Sequence, residues 1–306
     1  RFWGDAPLVL SSLSPEEALE VGRSSVEELY TAIENDLQFA IDNLNETNEL
    51  GRANSNSAKV LLGKVYLTQA KYDLSESILK EVLGVYNLVN NIFDVFDPEN
   101  ETNSEIVFAI RFDKTINDQG HGYWFAVSDL SISPYTSKLD NAYEPGDSRS
   151  SMINYVLTSD NSYLPGKFFD TRENNQVGND FIVLRYSDVL LMLSEAINAQ
   201  SYSTSGEAYT YLNDVRDRAG LSPLNSTDLP DQSSFAQALL DERFREFPLE
   251  GHRWFDLVRF DAVNQEIAGS IINVSSIPDF RQIYPIPNTE YEKMNNDNIF
   301  WQNEGY

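Results

Sequence analysis

Between Glu242 and Arg259 the chain reads ERFREFPLEGHRWFDLVR, and its carboxylates Glu242, Glu246, Glu250 and Asp256 are the residues best placed to do chemistry. Two carboxyl groups flanking a glycosidic bond, one acid and one base or nucleophile, are the equipment of a glycoside hydrolase. Arg243, Arg245, Arg253 and Arg259 stand among them and argue the other way. A carboxylate beside a guanidinium is pulled toward its ionised form, which suits a structural ion pair and disfavours a general acid. Phe244, Phe247, Trp254 and Phe255 are interleaved with the charges, and a solvated helix face has no use for rings of that size. The expected role is therefore a charge-paired brace, in two helical pieces separated at Pro248 and Gly251. No residue is assigned as catalytic.

Other charges read the same way. Arg185, Asp188 and Glu195 fall in an apolar run expected to be helix from Val183 to Ala199, where ions are buried only when paired; Arg216 and Arg218 are the expected partners. Asp147 and Arg149 flank a turn and are expected to pair.

Binding chemistry is concentrated elsewhere. From Asp113 to Asp180 the sequence has little periodicity and much Gly, Pro, Asn, Ser and Tyr, and a segment this long is normally disordered or functional. Its aromatics argue for function. Sugar rings have an apolar C–H face and a polar rim, so flat aromatic surfaces bind them while amides and carboxylates take the hydroxyls. Trp124 and Tyr123 are the leading candidates, followed by Tyr135 and Tyr143, with His121 and Asp129 as hydrogen-bonding companions. The alternative is that each ring packs the loop against the helices. His121 and His252 are the only histidines, too few for a metal site built on imidazole. Calcium held by Asp113, Asp118 or Asp129 lacks the spaced Asp/Asn loop with its Gly and Glu, so no metal or cofactor is assigned. No phosphate loop, GxSxG elbow or HExxH occurs.

The chain has 306 residues, 41% hydrophobic and 12% aromatic, enough for a real core. A net charge of -26, from 22 basic and 48 acidic residues, excludes a nucleic-acid partner and disfavours an anionic membrane surface. Cysteine is absent, which removes disulfides and thiolate chemistry. No apolar run is long enough to span a bilayer, and the opening residues Arg1 to Leu10 lack the apolar core of a signal peptide. They read as mid-domain sequence, so an N-terminal portion carrying an export signal and a lipid-modified cysteine is expected before them.

The elements that must position these residues are mostly helical. Ser14 and Pro15 start a short helix, and Val26, Leu29, Ile33, Leu37, Ala40, Ile41 and Leu44 recur at helical spacing. Helices are expected at Ala58–Gln69 and Leu74–Leu83, then at Glu207–Ala219, closed by Gly220, and at Ser234–Phe247. Leu62-Gly63-x-x-Tyr66 matches the first-helix core of a tetratricopeptide repeat, with an ordinary helical hairpin as the alternative. Ile106, Phe108, Ile110 and Phe112 alternate as on a half-buried strand. Ile283-Tyr284-Pro285-Ile286-Pro287 must be extended.

Several ordered blocks together resemble the SusD/RagB family. They are Leu62-Gly63-x-x-Tyr66, Gly146-Asp147-x-Arg149, Leu184-Arg185-Tyr186-x-Asp188, Asn213-x-Val215-Arg216-x-Arg218, and the ER-x-x-E and EG-x-RW-x-DL-x-R runs of the Glu242–Arg259 stretch. A PIP-x-x-E segment and the terminal Gln302-Asn303-Glu304-Gly305-Tyr306 complete the set, with Glu304 where the family usually has proline. The resemblance implies a mostly α, tetratricopeptide-repeat-like scaffold with a long loop-rich insertion carrying short β-strands. In one SusD-like domain the helical scaffold would occupy residues 14–104 and 181–262, the insertion 105–180 and an extended segment 263–306. It further implies a non-enzymatic protein, lipid-anchored on the extracellular face of a Bacteroidetes outer membrane. Such a protein captures oligosaccharide, or peptide in RagB-like members, for a TonB-dependent transporter of the SusC type and closes over it like a lid. The family's glycan-stacking aromatics lie partly in the corresponding insertion, which has no fixed motif, so no residue carries over.

Overall fold

Short polar side chains ahead of apolar runs set the helix starts. The computed structural model describes residues 1–47, 49, 51–113, 116, 137–157, 163–168, 178–268 and 274–306. Ser14 and Glu17 exchange side chain-to-backbone bonds at the start of α1 (Pro15–Ala18), and α2 (Val26–Asn43) follows. Asn54 and Ser57 form the same box ahead of α3 (Ser55–Thr68), which is followed by α4 (Tyr72–Lys80). Next come β1 (Ile106–Ile110), α5 (Ser137–Asp140), β2 (Tyr155–Leu157), β3 (Tyr163–Pro165) and β4 (Phe181–Arg185). Then α6 (Tyr186–Gln200), α7 (Glu207–Arg218), α8 (Gln232–Glu246), α9 (Arg253–Arg259), α10 (Val263–Glu266) and α11 (Asn288–Met294) complete the chain. The scaffold is thus mostly α with short strands, as expected.

The chain forms two compact units, one of Leu37–Arg253 and one of Arg1–Asp36 with Trp254–Tyr306. In the larger unit α6 is the central helix: Val189, Leu190, Leu191, Met192, Leu193 and Ala196 are all buried, and α3, α4, α7 and α8 pack on it. Gly63 on α3 faces Leu79 on α4, where an added Cβ would lie 2.5 Å from the leucine side chain, and Ser75 Oγ donates to the Gly63 carbonyl at 2.8 Å. The glycine admits a close helix approach, which is the role its repeat-like spacing predicts. A second cluster, including Ile92, Val95, Phe96, Ile106, Met152, Phe168 and Ile182, fills the space beneath the β1–β4 pair.

Three expectations change. Val183 to Arg185 is strand, because β4 pairs antiparallel with β1 before α6 begins. In β1 the buried residues are Ile106, Val107 and Ala109, while Ile110 is 50% exposed; register irregularities on both sides of Phe108 break the alternation. Helix α2 forms where the apolar period places it, yet none of its residues is fully buried.

In the smaller unit the tail runs extended through Ile283–Pro287 into α11. Gln302 pairs with both backbone groups of Ile286, accepting at 2.8 Å and donating at 2.9 Å, so a side-chain amide does the work of a neighbouring strand. Among the described residues no helix is long and apolar enough to cross a membrane.

Candidate functional site

The carboxylates of the charged stretch are buried on cations. Glu242, on α8, has no exposure and takes Arg149 at 2.6 Å, Arg245 at 2.7 Å and Arg216 at 3.1 Å. One turn later Glu246 takes Arg149 at 2.9 Å, Arg185 at 2.5 Å and Arg218. The turn after α8 passes through the left-handed region at Leu249 (φ 64°) and Gly251 (φ 76°). Between those two residues, Glu250 meets Arg185 Nε at 2.7 Å and Lys167 Nζ at 2.5 Å. Phe247 supplies a ring face under Arg185 and Arg243, at 4.5 and 4.9 Å. The interleaved aromatic is thus packed against Arg243, which it accompanies in sequence, and against Arg185 from the end of β4.

Asp188 is held by Lys64 at 2.9 Å and Arg243 at 2.8 Å. The expected partners Arg216 and Arg218 serve other acids: Arg216 grips Glu144 through two bonds as well as Glu242, and Arg218 joins Glu105 to Glu246. Arg185 bonds Glu105, Glu246 and Glu250 together. His252 Nδ1 faces Arg243 at 3.2 Å and Lys64 at 3.4 Å; both groups only donate, so this nitrogen accepts.

Burial raises a carboxyl pKa, but here the cations outweigh it. Glu250 is held at about 2 and Glu242, Glu246 and Asp188 below their ordinary values. Lys167 bears the opposing cost. Burial in an apolar corner, with Arg185 adding to it, lowers its ammonium to about 8 although Glu250 pulls the other way. Of the two cations on Glu250, only the lysine can yield its proton. A general acid must keep a proton near neutral pH, and these carboxyls do not. Their arrangement can brace but cannot protonate a leaving group.

What the network braces is the chain between β1 and β4. Asp147 and Arg149 pair at 2.7 Å, and Arg149 carries that bond on to α8. Lys167, just after β3, donates to the Pro248 carbonyl at 2.8 Å as well as to Glu250. At the stem, Asp180 accepts from Phe112 N at 2.9 Å and pairs with Arg111 at 3.1 Å. Arg149 and Lys167 are therefore tied by charge to α8 and the turn after it, while Asp180 closes on Phe112 and Arg111 beside the β1–β4 pair. Glu105, Glu144, Lys64 and Lys167 were not visible as members of this network, since none stands in a motif that names a partner.

Of the expected ligand-binding residues, Tyr143 is half-buried and donates to the Arg245 carbonyl at 3.3 Å, with burial raising its phenol pKa. It sits beside Glu144 at the edge of the network. Trp124, Tyr123, Tyr135, His121 and Asp129, together with Asp118, lie outside the described residues. Among the described residues no group of three or more His, Asp or Glu is placed to hold a metal ion.

Residues 108–306 match the SusD family. A SusD-like protein of Formosa agariphila, P25, is 27% identical over 85% of this chain and 60% of its own length. A SusD-like protein of Bacteroides ovatus is 26% identical over 84% of this chain and 55% of its own. The chain thus spans little more than half the length of these relatives. Among solved structures, a SusD superfamily protein of Parabacteroides distasonis superposes with a TM-score of 0.85 at 25% identity, covering all of this chain and 75% of that one. A laminarin-binding SusD-like protein superposes with a TM-score of 0.80, also at 25% identity and over the same shares. With the family matched over most of its length and the helical scaffold shared throughout, the chain belongs to the SusD family.

Proposed function

We propose that this protein is a non-catalytic, cell-surface glycan-binding protein that captures oligosaccharide or polysaccharide and passes it to a TonB-dependent transporter of the SusC type. The observation that carries the non-catalytic part is the saturation of Glu242, Glu246 and Glu250 by buried cations. It engages the best acid–base candidates in the sequence in buried ion pairs, which supports this reading. Glycan as the ligand is supported by the laminarin-binding relative, whose scaffold the whole chain shares, and by a starch-binding SusD of Bacteroides thetaiotaomicron, 35% identical over 42% of this chain. The contact surface in this reading is the insertion, led by Trp124. Stacking there needs fixed loops, and the charged staples at Arg149, Lys167 and Asp180 supply fixed ends. A lipid anchor on the outer membrane completes the proposal.

The test is retention of the protein on a panel of native polysaccharides beside peptide digests. The reading expects retention on at least one glycan, weakened by Trp124→Ala. Retention on peptides alone overturns the ligand class, and hydrolysis of a bound glycan that is lost in Glu246→Gln overturns the non-catalytic assignment.

A further inference from the structure

The turn after α8 is held in a conformation it would not choose. Leu249, at φ 64°, lies in the left-handed region that a residue with a Cβ enters only at a cost, and Gly251 follows at φ 76°. Restraints on both sides keep it there. On one side Lys167 donates to the Pro248 carbonyl and to Glu250, and Leu249 packs against the cluster that includes Phe96, Met152 and Phe168. On the other side the restraint is His252.

His252 is 8% exposed, and its ring stacks on Phe247 with centroids 4.6 Å apart and planes 25° apart. Its Nδ1 accepts from Arg243 Nη2 at 3.2 Å and from Lys64 Nζ at 3.4 Å, so α8 and α3 both grip the residue through one lone pair. Asp188, on α6, faces the same nitrogen at 4.0 Å, but its oxygens already take Lys64 at 2.9 Å and Arg243 at 2.8 Å. Glu250 is the other carboxylate that feels a charge on the ring, and it is occupied by Arg185 and Lys167. A proton on Nδ1 removes the lone pair that both cations use and sets a third positive charge against them.

We propose that His252 is an acid-sensitive latch on this turn: the neutral ring holds the turn in place, and protonation releases it. With the lone pair gone, the Phe247 stack and the left-handed Leu249 backbone lose a restraint, and Glu250 between them loosens on Lys167 and Arg185. The brace is then weakened in the range where imidazoles titrate, about pH 6.5 and below, while Glu250 itself keeps its charge down to about 2. The latch acts on the fold and does not depend on which ligand the protein binds.

Urea midpoints measured from about pH 8 to about pH 5 test it on the wild type, His252→Asn and His121→Asn. Asparagine offers an acceptor oxygen in place of Nδ1 and takes up no proton. The latched ring binds a proton less readily than the same ring in the unfolded chain, so unfolding takes up a proton and stability falls as pH falls. The wild-type unfolding equilibrium therefore shifts by up to about tenfold per pH unit below about pH 6.5. That slope is absent in His252→Asn and present in His121→Asn; every other titrating group is common to the wild type and the first variant, and a pH-independent offset reports only the cost of the substitution. Hydrogen exchange resolves the turn itself: at about pH 5 the amides of residues 247–253 exchange faster in the wild type than in His252→Asn, and at about pH 8 the two match. Should His252→Asn fail to fold, His252→Gln carries the same comparison. Parallel slopes in the wild type and the His252 variant, a slope that vanishes with His121 instead, or a wild type that gains stability as pH falls would each overturn the latch.

Discussion

Replacing Glu246 with glutamine removes one charge and keeps the shape. Glu246 is 1% exposed and accepts from Arg149 at 2.9 Å, Arg185 at 2.5 Å and Arg218. Glutamine keeps one acceptor oxygen but turns an N–H2 group toward guanidiniums that can only donate. Removing one partner of a buried ion pair costs about 3–5 kcal/mol. For a unit of this size each kcal/mol lowers Tm by about 2–4 °C, so a fall of about 10 °C is expected. Calorimetric melting reads it directly, with Glu290→Gln as control. Glu290 and its partner Lys293 have side chains 53% and 65% exposed, and loss of such a pair shifts stability by less than about 1 kcal/mol. A Glu246→Gln protein melting within about 1 °C of the wild type would refute the brace, since the change would then resemble an ordinary surface substitution. A hydrolase would show the reverse pattern, a stable variant that has lost turnover.

Other outcomes follow from the same contacts. Glu250 has a native pKa of about 2 against an ordinary 4.5, so its stabilisation is present above pH 4.5 and is lost as pH falls toward 2. Linkage makes that loss about 3 kcal/mol, and urea midpoints measured down the pH scale should show it, flattened in Glu250→Gln. Lys167 behaves oppositely: with its native value near 8 against 10.5, the unfolded chain holds the extra proton in that window. Its contribution to stability therefore rises with pH between those values, and Lys167→Met should remove that rise from urea midpoints. Gly63→Ala drives a Cβ to 2.5 Å from Leu79, which is fully buried. Thermal melting should show a loss of about 1–3 kcal/mol from overpacking, more than alanine's better helix propensity returns.

The brace was legible because arginines stand beside the acids in sequence, and the pairing of Asp147 with Arg149 because they are near neighbours. Partners far apart in the chain were not. Asp188 meets Lys64 and Arg243 rather than Arg216 or Arg218, and nothing in the local pattern distinguishes one buried cation from another. The start of α6 was misplaced because Phe181 to Arg185 is a short apolar run, which periodicity cannot assign to strand or helix. The β1 alternation failed at the irregularity around Phe108, which no residue type announces. Arg23 stands in no motif, and its bonds to the carbonyls of Trp3, Asp5 and Trp301 exist only once residues far apart in the chain are folded together. The insertion aromatics were read from chemistry alone, and of these only Tyr143 among the six candidates falls within the described residues.

The most direct measurement is to incubate the wild-type protein with the panel of native polysaccharides and follow retention and released reducing ends in the same samples. Retention on a glycan with no new reducing ends is the predicted result. New reducing ends from a retained glycan, abolished by Glu242→Gln or Glu246→Gln in protein that still folds, would contradict it.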